Sequence, residues 1–208
     1  MFTGIIQAQG NIKEIRKSNK NAVFVFNSNS LDLSDVSIGD SIAVNGVCLT
    51  VTQLDKNSFS SDVSQETLNC STFSQLKKGQ NINLEKSLRL DQGIDGHLVS
   101  GHVDGVGEVV SLQKEGESTR LKIKVKNDLS KYIAKKGSIC INGVSLTVNS
   151  VEADIFDVNI VPHTLSVTTL GELIENSRVN IEIDIIARHI EQLISHKSTT
   201  GIDIPTPK

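Results

Sequence analysis

The chain repeats itself. Asn45-Gly46-Val47-Cys48-Leu49-Thr50-Val51 returns 97 residues later as Asn142-Gly143-Val144-Ser145-Leu146-Thr147-Val148. The same offset pairs Gly4 with Gly101, Gly10 with Gly107, Phe59 with Phe156, Asn83 with Asn180 and Glu85 with Glu182. Residues 1–88 slide onto 98–185 without a gap, and 18 of the 88 positions are identical. Two copies are too few for a solenoid, which needs about three, so the repeat predicts two similar domains in tandem. Each has about the minimum size for a core of its own.

Short apolar runs fill both copies: 22–26, 42–44, 49–51, 121–125, 139–141, 146–148 and 179–183. They are β-branched, several alternate with period two, and Gly, Asn, Asp or Ser bounds them, which predicts an all-β barrel or sandwich. Asn45-Gly46 and Asn142-Gly143 predict two-residue hairpin turns with positive φ. With no Trp, one Tyr and six Phe, the core is expected to be mainly Val, Ile and Leu. Beyond the second copy, Ile186, Ala187, Ile190, Leu193 and Ile194 recur at helical spacing and predict a short amphipathic helix ending near residues 198–201, then a loose tail. Its apolar stripe must pack on its own barrel or on the same helix of other subunits. The organisation expected is 1–97, 98–185 and 186–208.

Composition excludes several classes. The formal net charge is −3 and the charges are scattered, so the basic stripe of a nucleic-acid binder is missing. No apolar run approaches the roughly 18–20 residues of a membrane span, and no signal peptide is legible at the N-terminus, so a cytoplasmic location is expected. Three cysteines without C-x-x-C spacing argue against a disulfide framework or a zinc site. No phosphate-binding glycine pattern opens a helix.

A duplicated domain presents two similar pockets, and chemistry must lie where the copies differ. Small and hydroxylated residues mark three segment pairs as pocket-forming: Gly4-Ile5-Ile6 with Gly101-His102-Val103, Cys48-Leu49-Thr50 with Ser145-Leu146-Thr147, and 62–67 with 159–164. Against them stands the ordinary strand or bulge role of such residues. The differences are Ile5 against His102, Cys48 against Ser145, Gly39 against Lys136, and Ser87 against Asp184. A base, a cation and a carboxylate are what proton transfer uses, and a thiol can be nucleophilic. Equally, Cys48 can be plain packing, Lys136 a solvated turn and Asp184 a helix cap. His97 and His102 lie on opposite faces of any strand, which argues against a metal pair.

Met1-Phe2-Thr3-Gly4-Ile5-Ile6, the two Asn-Gly-Val boxes, the run 96–105, the segment 160–165 and 179–184 together resemble the riboflavin synthase family of duplicated lumazine-binding domains, over residues 1–195. The resemblance implies two six-stranded Greek-key barrels followed by a helix that assembles a homotrimer, with active sites between subunits. It implies dismutation of two molecules of 6,7-dimethyl-8-ribityllumazine, with a four-carbon unit passing from one to the other. The products are riboflavin and 5-amino-6-ribitylaminouracil, and no cofactor or metal is needed. One pocket would use Gly4, Ile5, Ile6, Ser41, Cys48, Leu49, Thr50, Asp62, Val63, Ser64, Gln65, Glu66 and Thr67. The other would use Gly101, His102, Val103, Lys136, Ser145, Leu146, Thr147, Asn159, Ile160, Val161, Pro162, His163 and Thr164. Phe2 and Thr3 would reach across the shared site. His102 would move the proton, Cys48 and Ser145 would contact the reacting carbons, Lys136 would supply the cation, and Asp184 would orient or relay. Non-catalytic antenna proteins of the same fold are the rival; this chain keeps both boxes together with Cys48, His102 and Lys136.

Overall fold

The computed structural model describes residues 1–17 and 21–200. The first half contains strands β1 (Ala8–Lys17), β2 (Ala22–Asn27), β3 (Ser41–Val44), β4 (Val47–Thr50), β5 (Gln53–Asp55), β6 (Ser58–Val63) and β7 (Asn81–Lys86). Helix α1 (Gln65–Cys70) and a 3₁₀ turn at Thr72–Gln75 join β6 to β7. The second half repeats the plan with β8 (Gly105–Glu115), β9 (Ser118–Lys124), α2 (Asn127–Ser130), β10 (Ser138–Ile141), β11 (Val144–Glu152) and β12 (Ile155–Ile160). It ends with α3 (Pro162–Val167), a 3₁₀ turn at Thr169–Glu172, and β13 (Arg178–Ile183), and α4 (Ile185–Thr200) follows. The tail at 201–208 lies outside the described residues.

The second half is a closed six-stranded barrel in the order β10-β11-β12-β9-β8-β13. Non-sequential pairing, β9 with β12 and β13 with both β8 and β10, makes it a Greek key. The first half is the same barrel left unclosed, a half-barrel of seven strands in the order β4-β3-β7-β1-β2-β6-β5. The extra strand is a break rather than an insertion. β4 and β5 part around Val51 and Thr52, where β11 carries a bulge between Val148 and Ser150. Both Asn-Gly turns form as expected, with positive φ at Asn45, Gly46, Asn142 and Gly143. No helix among the described residues is long and apolar enough to cross a membrane.

Each half has its own core, and the two are not alike. The second is aliphatic around Phe156, as expected. The first is organised by Phe24, Phe26, Phe59 and Phe73, packed ring on ring with centroids 5.0–6.5 Å apart, where the second copy has Leu121, Ile123 and Leu170 opposite three of them. Aromatic filling of one repeat balances aliphatic filling of the other.

A polar and symmetric network helps join the halves. Asn83 Nδ2 donates to the Asn142 carbonyl at 2.9 Å, and Asn180 Nδ2 donates to the Asn45 carbonyl at 2.8 Å. Asn83 Oδ1 accepts the Thr169 N–H, and Asn180 Oδ1 accepts the Thr72 N–H, each at 2.8 Å. All four asparagines are buried. Gly46 and Gly143 meet where the two turns touch: a Cβ on Gly46 would lie 2.7 Å from the Gly143 nitrogen. The repeated asparagines therefore serve the contact between copies.

Candidate active site

Two straps exchange places between the halves. Phe2 and Val99 pair antiparallel, N–H to carbonyl in both directions at 2.7 and 3.0 Å. Buried Glu85 accepts from the Thr3 N–H, the Thr3 hydroxyl and the Gly4 N–H; buried Glu182 accepts from Ser100 and Gly101 in the same way. Held so, the Gly101 carbonyl takes the Cys48 N–H and the Gly4 carbonyl takes the Ser145 N–H, both at 2.8 Å. Only glycine fits these crossings. Gly4 and Gly101 have φ of +76° and +81°, and a Cβ would stand 2.6 Å from that of Ser145 or 2.5 Å from that of Cys48.

The crossing reverses the pocket grouping expected from the repeat. Gly101, His102 and Val103 close the pocket of the first barrel, where Val103 packs on its core. The strap 4–6 lies on the second barrel instead, where Ile6 packs. A strap preceding its own β1 or β8 must run outside that barrel, and the neighbouring barrel supplies the nearest free pocket. Phe2 and Thr3, expected to reach a shared site, are buried within the chain: Phe2 is 0% exposed between Ala43, Val99 and Cys140.

The first pocket is a cavity of about 200 Å³ bringing together Cys48, Glu66, Thr67, Cys70, His102 and Val103. Cys48 is half-buried and His102 exposed at the rim. Ser64 caps α1 by accepting the Thr67 N–H, which sets Glu66 and Thr67 on the pocket side. Cys70, outside the expected set, donates its thiol to Glu66 at 3.0 Å, and that bond holds the thiol above its ordinary pKa. Leu49 and Val63 turn into the core, as Ile160 does in the second copy, because alternate strand residues face opposite ways. Ser41 and Thr50 face each other across β3 and β4, and Asp62 and Gln65 are exposed.

In the second barrel the structure brings together a pair that the repeat comparison missed. His97 Nδ1 lies 2.7 Å from Ser145 Oγ. Its Nε2 is buried with no partner among the described residues. Burial lowers the His97 pKa below its ordinary value, and the nearby Asp184 carboxylate opposes that fall. The imidazole is therefore neutral near pH 7 and able to take a proton. His97 pairs with no residue of the first copy at an offset of 97, so comparing copies could not single it out.

Asp184 does cap α4, accepting the Ile186 N–H at 2.9 Å, while its charge still reaches His97. Lys136 sits exposed in a turn at φ +68°, where the first copy has Gly39 at +98°. Each donates its N–H to the equivalent valine, Val148 or Val51. Keeping a lysine in left-handed backbone costs roughly 1–2 kcal/mol, a strain glycine would avoid. Leu146 packs against the barrel core and Thr147 is exposed. Asn159 points outward from β12; Val161, Pro162 and His163 are exposed at the start of α3, and Thr164 is half-buried.

A tandem pair of like domains, each crossed by the other's strap, defines the class of duplicated β-barrel proteins. The lumazine binding domain model matches twice, at residues 3–87 and 100–184. Riboflavin synthase of Photobacterium leiognathi is 47% identical over 194 residues, 93% of this chain and 89% of that one. Riboflavin synthase of Bacillus subtilis (strain 168) is 38% identical over 198 residues, covering 95% and 91%. Among solved structures, LumP complexed with 6,7-dimethyl-8-(1'-D-ribityl) lumazine aligns with a TM-score of 0.78 at 29% identity, covering 88% of this chain and 98% of that one. LumP complexed with riboflavin gives 0.79 at 31% identity, covering 88% and 99%. The chain belongs to the riboflavin synthase family of duplicated lumazine-binding proteins.

Proposed function

We propose that this chain catalyses the dismutation of two molecules of 6,7-dimethyl-8-ribityllumazine to riboflavin and 5-amino-6-ribitylaminouracil, without a cofactor or metal. The observation that carries this reading is unlike chemistry at the two equivalent places of the repeat: Cys48 with His102 in a cavity of the first half, Ser145 with His97 in the second. A reaction that uses one compound in two roles needs that combination. Holding both molecules in oriented contact can supply roughly 7–11 kcal/mol of the barrier.

The reaction opens with loss of a proton from the C7 methyl of one lumazine, whose ring delocalises the charge. Neutral His97, steadied by Ser145, is the base we favour at the second barrel, and His102 is its counterpart at the rim of the first. Cys48 and Ser145 stand beside the reacting carbons. Lys136 offsets developing negative charge, and Asp184 orients the site. Backbone groups of the straps and the Thr50 and Thr147 hydroxyls hold the pyrimidinedione and ribityl groups.

The complete active site forms between the first barrel of one subunit and the second barrel of the next, in a trimer built on α4. The exposed stripe of that helix supports this assembly: Ile186, Ile190, Leu193 and Ile194 are 51–64% exposed. Its polar side is already tied to the barrel, Arg188 to Asp104 at 2.7 Å and Glu191 to Lys131 and Tyr132. Replacing Ile190 and Leu193 by Glu is expected to leave a folded monomer with less than about a tenth of the activity, read by sedimentation and turnover at one protein concentration. An intact trimer would remove α4 from this role.

The direct test incubates the protein with 6,7-dimethyl-8-ribityllumazine alone. One riboflavin and one 5-amino-6-ribitylaminouracil per two lumazines consumed is the expected balance. Tight binding without turnover would make the chain a carrier.

A further inference from the structure

A second cavity, about 370 Å³, lies between the barrels beside the two 3₁₀ turns and shares no lining residue with the Cys48 pocket. It straddles the symmetry axis of the repeat, since Asn45 faces it with Asn142 and Thr72 with Thr169. Its character emerges from the hydrogen-bonding capacity left after the protein's own bonds are made.

Asn45 Oδ1 accepts the Asn83 N–H and Asn142 Oδ1 accepts the Asn180 N–H, both at 2.8 Å. A backbone N–H can face only an oxygen, so both amides are fixed in orientation, and each Nδ2 is left as a donor. Gln80 Oε1 is taken by the Lys77 N–H and Ser177 Oγ by the Ile174 N–H, so an amide and a hydroxyl proton remain free there too. Thr169 is 7% exposed, and its Oγ1 has no partner among the described residues. The one carboxylate lining the cavity, Glu172, is engaged by Asn81 Nδ2 at 2.7 Å. Lys77 and Arg178 line the cavity, and neither is in an ion pair among the described residues. The side-chain oxygens of Asn45, Asn142, Gln80 and Ser177 are thus spent on backbone N–H groups, while their donors and two cations stand against the single carboxylate of Glu172.

We propose that this cavity binds a phosphate group, carried by a small phosphate monoester seated across the axis between the repeats. Phosphate presents several strong acceptor oxygens and a charge near −2 at neutral pH, and a free guanidinium is suited to clasp it. The volume leaves room for the organic part of the ester beside the neutral donors. The site stands apart from the reactive pockets, so it does not depend on the proposed reaction.

The test is calorimetric titration of the whole protein, in buffer free of phosphate and sulfate, with ribose 5-phosphate, inorganic phosphate and ribose. Arg178→Ser and Lys77→Ser, both exposed side chains, serve as variants, with the circular dichroism spectrum and urea midpoint measured as a control for folding. Saturable binding of ribose 5-phosphate, weakened about tenfold or more by each variant while the fold holds, is expected. Binding of inorganic phosphate alone, lost in the same variants, keeps the phosphate site and identifies the free ion as its occupant. Ribose binding as tightly as its phosphate, affinity unchanged in both variants, or no binding at millimolar concentration would each overturn the proposal.

Discussion

Replacing His97 by Gln is expected to lower kcat by about 10²–10⁴-fold while lumazine affinity changes less than about threefold. Glutamine fills similar space and can still meet Ser145 Oγ, so the site keeps its shape and loses only a group that can take a proton. The pH profile separates this from a structural effect. Burial holds the His97 pKa below its ordinary value, so kcat should be level at neutral pH and fall on the acid side as the imidazole charges. The variant should lose that acid limb. Stability follows the same sign: the folded chain binds this proton less readily than the unfolded chain. The contribution is undiminished above the ordinary histidine value of about 6.5 and declines as pH falls from there toward the lowered one. The same substitution at His102, exposed at its rim, tests the other pocket. An unchanged acid limb in the His97 variant would transfer the base role to His102.

Asn83→Ala is expected to be the most damaging single change away from the pockets. It removes a side chain that satisfies the Asn142 carbonyl and the Thr169 N–H together, and both lie in buried surroundings. Leaving two backbone groups unpaired costs about 1–3 kcal/mol each, a large part of the roughly 5–15 kcal/mol by which domains are stable. A urea midpoint lower by an amount equivalent to about 2–6 kcal/mol is expected, with Asn180→Ala giving a similar loss because it holds the matching pair. A loss under 0.5 kcal/mol would show that water replaces the amide.

The strands that could be read in the residues are those with alternating β-branched runs, such as β2, β3, β10 and β13. β1 and β8 were not legible because they are long, carry many charged residues, and place glycine inside a strand. Gly10 and Gly107 are required there by crowding, since a Cβ would stand 2.5 Å from Leu84 or 2.6 Å from Ile123. Helices α1 and α3 are one and a half turns long, too short to show a periodicity. The repeat singled out Cys48, Ser145 and Asp184 by their differences. It could not reveal which strap serves which barrel, because that depends on packing between halves. His97 escaped for a related reason: it stands in the connecting strap, and its meaning lies in Ser145, 48 residues away.

The reciprocal bonds of Asn83 and Asn180, with the exchanged straps, have the form of an isologous interface in which residue i meets j and j meets i. Such an interface is what two separate copies of one half would make. The molecule is in effect a tethered homodimer. A true homodimer must carry the same residue at both equivalent positions, whereas the covalent link lets Cys48 stand on one side and Ser145 on the other.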